Sequence, residues 1–153
     1  MDANLLEICA HDGEGFKPLV SFGDWRVAIL RFLDDLQPER IDSMERHTET
    51  DEVFVLLCGQ GVLILGGNCA QVEGVYPQVM EFGKIYNVKR NVWHTILLSR
   101  NAAVLLVENE DTGEHNSEYA GLSAEQRGSI LRIAQQAGMA AQKRRHHDEH
   151  GHG

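Results

Sequence analysis

Histidine and glutamate are the residue types in this chain whose spacing points to chemistry. His47 and Glu52 stand just ahead of the apolar run V-F-V-L-L and the turn G-Q-G, and His94 stands alone at the start of a second apolar run, T-I-L-L. Imidazole nitrogens and carboxylate oxygens are the donors that hold divalent transition metals. Glu45 lies two residues before His47, so an extended strand would project both side chains from one face. Strict alternation sends Glu52 to the opposite face, and it joins the others only if the intervening chain bends or bulges. Glu49 and Asp51 sit where they could act on substrate protons, although a solvated entrance is the more ordinary role for each. Each candidate also has a plain structural alternative. Glu45 and Glu52 are two of 23 acidic residues, and His94, beside Trp93, could be a buried histidine bonded to a backbone carbonyl.

The surrounding pattern is that of short strands. The run from Trp25, W-R-V-A-I-L-R-F-L, is rich in strand formers and apolar on both faces, which implies cover from the interior on one side and from something else, such as another subunit, on the other. Arg26 and Arg31 fall on opposite faces; either could bind an anionic ligand, with a surface salt bridge or aliphatic packing the more ordinary role for each. Glu52 to Leu57 and Val62 to Leu65 flank G-Q-G and read as a hairpin. Cys58, at the end of the apolar run V-F-V-L-L-C, reads as a small core residue. Pro77 marks V-Y-P-Q-V-M-E-F as an edge or bent strand. Lys84 to Val88, Trp93 to Leu98 and Ala103 to Val107 complete a series whose glycine-turn spacing predicts a sandwich or barrel. The run N-E-D-T-G-E-H-N-S-E-Y reads as a polar loop, with His115 as a bystander. Ser123-Ala-Glu-Gln126 has the form of a capping box opening a helix that ends near Gly138.

The expected organisation is an N-terminal arm over 1–24, the β domain over 25–110, a loop and helix over 111–140, and a disordered tail over 141–153. That tail carries His146, His147, His150 and His152, which would chelate metals only weakly without a fold to hold them. At 153 residues and 42% hydrophobic content the chain suits one domain with a real core. A net charge of −9 argues against nucleic-acid and anionic-membrane partners. No apolar run is long enough for a membrane helix, and the N-terminus lacks the features of a signal peptide. Cys9, Cys58 and Cys69 are three, without C-x-x-C spacing, and read as reduced thiols in the cytoplasm.

The two histidine-bearing stretches resemble the paired signature motifs of the cupin family. The first motif is a His, one residue, a second His, three or four residues, a Glu, six residues and a Gly. Counting back from Gly59 places Glu52 at the Glu, His47 at the second His and Glu45 at the first-His position. In the second motif Gly83 and His94 fit, while Lys89, Asn91 and Leu98 stand where Pro, Gly and Asn are usual. The resemblance implies a mainly β fold, a double-stranded β-helix or jelly-roll barrel, here with a C-terminal helix. It also implies that His47, Glu52 and His94 converge inside, with Glu45 as a possible fourth ligand.

Two imidazoles and a carboxylate with open positions suit a divalent iron, manganese, nickel or zinc ion. Tyr86, Trp93, Phe54, Leu56, Ile96 and Leu98 are candidates for an apolar cavity wall around it. Three functions compete on this reading. The first is a metal-dependent oxygenase or isomerase acting on a small molecule, with Glu45 or Glu49 as general acid or base. The second is a non-catalytic ligand-binding or sensing cupin, with or without a metal. The third is a structural homodimer.

Overall fold

The structure is a computed structural model that describes residues 2–139. The histidine-rich segment lies outside the described residues. Ten strands make two five-stranded antiparallel sheets. In chain order the strands are β1 Gly15–Phe22, β2 Trp25–Arg31, β3 Ser43–His47, β4 Glu52–Cys58, β5 Gly61–Leu65, β6 Tyr76–Val79, β7 Tyr86–Val88, β8 His94–Leu98, β9 Ala103–Asn109 and β10 Ser117–Gly121, followed by one helix, α1 Ala124–Gln136. One sheet has the order β1-β2-β9-β4-β7 and the other β10-β3-β8-β5-β6. Neither sheet closes on itself, so the expected barrel is realised as two facing open sheets. No helix among the described residues is long and apolar enough to cross a membrane.

Two apolar layers hold the assembly together. Phe54, Leu56, Leu63, Ile96, Leu98, Val104 and Leu106 fill the space between the sheets. Met44, Val62, Ile64, Trp93, Leu97, Ile130 and Ala134 join the back of the second sheet to α1. β5 serves both layers, and for that reason four of its five residues are buried rather than alternating. The helix begins as its sequence signature predicts: the Ser123 hydroxyl accepts from the Gln126 amide, and the Gln126 side chain accepts from the Ser123 amide. Gln126 Nε2 also donates to the Val72 carbonyl, tying the first turn to the sheet.

Several local expectations change. β4 and β5 are not a hairpin, because they belong to different sheets. The turn at Gly59 carries the chain across, with φ of +74°. A Cβ there would lie 2.6 Å from Ala102 Cα, so both the conformation and the close approach require glycine. Cys58 is exposed, as are Cys9 and Cys69. The segment read as a polar loop contains β10, which pairs with β3 from Ser117 opposite His47 to Gly121 opposite Ser43. The segment 1–24, expected as an irregular arm with a short strand at its end, carries the edge strand β1 over Gly15–Phe22. β6 lies at the far edge of its own sheet, consistent with Pro77.

Candidate metal centre

β3 and β8 lie side by side in one sheet, with Glu45 paired to His94. β4 faces them from the other sheet and begins at Glu52. Glu52 therefore meets His47 by crossing between sheets, and no bulge is involved. The crossing is braced by Asp51, whose carboxylate accepts from the Arg90 amide at 2.8 Å and from Asn87 Nδ2 at 3.1 Å. These two bonds hold the Asp51 carboxyl below its ordinary range. The second histidine-bearing turn is tied back to the first: the Asn91 amide donates to the His47 carbonyl at 2.7 Å. Asn91 has φ of +66°, a conformation that Asn tolerates better than most residues, and so it can stand where glycine is usual.

His47, Glu52 and His94 converge in the space between the sheets, with relative exposures of 7%, 5% and 4%. Each ring is anchored through Nδ1. His47 Nδ1 lies 2.8 Å from Ser117 Oγ, and His94 Nδ1 lies 3.0 Å from the Val92 carbonyl oxygen. That leaves both Nε2 atoms for the centre, as outer hydrogen bonds do for metal-binding imidazoles. His94 Nε2 is 3.1 Å from Glu52 Oε1, and His47 Nε2 is 3.5 Å from Glu52 Oε2. His94 thus has an oxygen acceptor at each nitrogen. Such a ring must carry two protons or place a cation between Nε2 and the carboxylate.

Glu108, which the motif reading did not single out, is the fourth buried group. It sits on β9 directly opposite Arg26 on β2. Arg26 donates to Glu108 Oε1 from Nε at 3.2 Å and from Nη2 at 2.8 Å, and to the Glu110 and Thr112 carbonyls. Glu108 Oε2 points the other way, 3.8 Å from His47 Nε2. These two atoms, His47 Nε2 and Glu108 Oε2, are buried and have no hydrogen-bond partner among the described residues. Alternation along β9 was the available signal, since Val104, Leu106 and Glu108 share one buried face.

The charges in this cluster are interdependent. Burial, then the neighbouring Glu52 carboxylate, push Glu108 up to about 8, against the pull of Arg26. For Glu52 burial works in the same direction, yet the His94 hydrogen bond, together with the nearby His47 and Glu108 side chains, holds it well below the carboxylate range. His94 is raised: burial opposes its charge, and the Glu52 hydrogen bond and charge outweigh that opposition. Two overlapping sets of donors have the spacing to share one ion: Glu45, His47 and His94, and His47, Glu52 and Glu108. Two donors each about 2.1 Å from an ion stand about 3.0 Å apart at a right angle and about 4.2 Å apart when opposed. The 3.1 Å, 3.5 Å and 3.8 Å separations fall within that range.

The remaining candidates separate. Glu45 is half-buried at the wall of the cavity. Tyr119, on the neighbouring strand, is raised by burial and by the charge of Glu45. Glu49 is exposed, accepts from Asn116 Nδ2 and does not line the cavity, so the structure does not bring it to the other candidates. His115 pairs with Asp111 at the surface. The cavity measures about 870 Å³. Phe54 and Ile96 line it, together with Leu30, Leu106, Ser43 and Thr95. Trp93 does not: it packs towards α1 and donates from Nε1 to the Cys69 carbonyl. Tyr86, Leu56 and Leu98 belong to the interior packing away from the cavity wall.

The chain matches no protein-family model and no curated protein. Solved structures similar to it include Streptomyces Pac13 with uridine, at 13% identity and a TM-score of 0.50, covering 72% of this chain and 79% of that one. Pac13 is described as a nucleoside dehydratase. Another is CapF, a capsular polysaccharide assembling protein from Staphylococcus aureus, at 13% identity and a TM-score of 0.53, covering 74% of this chain and 34% of that one. At this identity the likeness is one of fold: the chain has the fold of the cupin superfamily.

Proposed function

We propose that this chain is a small-molecule cupin protein whose cavity binds one divalent transition metal through His47, Glu52 and His94, and that it acts as a metal-dependent isomerase or oxygenase. The observation that carries the reading is the pair of buried imidazoles anchored through Nδ1, each presenting Nε2 to carboxylate oxygen. Iron, manganese, nickel and zinc all accept such a donor set. When bound, the ion would supply Lewis acidity towards a substrate oxygen in the cavity. The chain's own part is to exclude water with Phe54, Leu106 and Ile96, and to offer Glu45 as a half-buried acid or base at the wall.

Metal analysis of the purified full chain tests this. One ion per chain is expected, with loss of the bound ion in both His47→Ala and His94→Ala. Equal metal content in all three proteins would place any bound ion elsewhere. A metal-free binding module is the second reading, and one observation favours it: Glu108, raised to about 8 beside the low Glu52, can keep the pair at a single negative charge without an ion. Purified protein without metal that also takes none up would select that reading.

Two further points belong to the proposal. The protein forms a homodimer through the outer face of the sheet that contains β2, β9 and β4, where Val27, Ile29, Val53, Val55, Leu105 and Val107 lie side by side. It works in the reducing cytoplasm, consistent with three exposed free cysteines.

A further inference from the structure

We propose that Glu108, and not Glu45, supplies the second carboxylate to the metal at this centre, taking the place left by the missing first histidine. The inference rests on the metal-binding reading above and names one more residue of the same site. Glu108 is 6% exposed, and one of its two oxygens is fully committed: Oε1 receives both donors from Arg26. Arg26 in turn is fixed by the Glu110 and Thr112 carbonyls, so the carboxylate cannot swing. Its other oxygen, Oε2, is buried without a partner and faces the equally unpartnered Nε2 of His47 at 3.8 Å.

Leaving two such atoms unpaired in the interior is costly, and a buried carboxyl oxygen facing a ring nitrogen at 3.8 Å is an arrangement that a shared cation resolves. The Arg26 guanidinium, by clamping one Glu108 oxygen and aiming the other, does for this carboxylate what the anchoring hydrogen bonds do for His47 and His94. Glu45 lacks every one of these features. It is half-buried, sits at the cavity wall with Tyr119, and is not among the buried groups left without a partner. It stays free to exchange protons with a ligand. The resulting donor set of two imidazoles and two carboxylates is oxygen-rich and favours a hard ion such as manganese over softer ions.

Mn²⁺ is therefore the probe. Titration of the full chain with Mn²⁺, followed by the electron paramagnetic resonance signal of the free ion, uses the His47→Ala/His94→Ala double variant as background, because both proteins share the same histidine-rich tail. Glu108→Gln is expected to weaken Mn²⁺ binding by at least about tenfold, and Glu45→Gln by less than about threefold. Comparable affinity in Glu108→Gln and the unmodified chain overturns the assignment while leaving the His47–Glu52–His94 site standing. So does a loss in Glu45→Gln as large as that in Glu108→Gln. No binding above background in the unmodified chain overturns both proposals. Should Glu108→Gln not fold, a Mn²⁺-soaked crystal of the unmodified chain decides. Mn²⁺ within about 2.5 Å of Glu108 Oε2 is expected, and a separation beyond about 3.5 Å contradicts the assignment.

Discussion

A buried histidine with an acceptor at each nitrogen and a buried carboxylate with one bare oxygen make the centre sensitive to protons when no metal is present. Glu108 is raised from an ordinary 4.5 to about 8, by burial first and by Glu52 second. Between those values the folded chain keeps a proton that the unfolded chain has released, so stability falls as pH rises across the window. His94, also raised, acts in the same direction above its ordinary 6.5. Glu52, held low, contributes stability above its ordinary 4.5 and loses it on acidification. Urea unfolding of the metal-free chain between about pH 5 and pH 8 should therefore show declining stability, by up to about 1.4 kcal/mol per pH unit for one proton. In Glu108→Gln that decline becomes markedly shallower; an equal slope in both proteins would contradict the assignment of the proton to Glu108.

At the scale of elements, one glycine-dependent turn fixes the strand that carries Glu52. The turn at Gly59 sends β4 and β5 into opposite sheets, and any side chain there meets Ala102 while the backbone is held at positive φ. Gly59→Ala is expected to lose about 2–4 kcal/mol in urea unfolding, more than the roughly 1 kcal/mol typical of an exposed glycine position. A loss below about 0.5 kcal/mol would show that the crossing tolerates a Cβ.

This turn also marks where the sequence could be read and where it could not. The apolar runs gave β4, β5, β8 and β9 because burial leaves a direct trace in residue type. Which sheet each strand joins depends on partners distant along the chain, so two adjacent runs around G-Q-G read as a hairpin and are not one. Glu52 was legible as a candidate, but its route to His47 was not, because crossing between sheets and bulging within one leave the same letters. His47 and His94 carried a spacing signal. Glu108 carried only its place in the alternation of β9, and Arg26, its partner, lies 82 residues away.

At the scale of the whole molecule, the outer face of one sheet is only partly covered by the described residues. On the outer side of the first sheet, Val53, Val55, Leu105, Val107, Val27 and Ile29 form a continuous apolar surface, with Phe22 and Trp25 exposed at 75% and 44% beside it. A self-complementary patch of this kind suits a two-fold pair. Light scattering of the full chain should give twice the chain mass, and Val55→Glu with Leu105→Glu should give the chain mass while the fold persists by circular dichroism. A monomeric unmodified protein would remove the dimer.

The cavity lies on the opposite side of the same sheet, between the two layers, so pairing would leave it open to small molecules. What the cavity holds is the central matter, and anomalous X-ray scattering from crystals of the unmodified protein, collected across metal absorption edges, addresses it most directly. The account predicts one anomalous peak between the sheets, about 2.0–2.3 Å from both His47 Nε2 and His94 Nε2 and in contact with Glu52. Crystals of metal-supplemented protein with no peak in that space would contradict it.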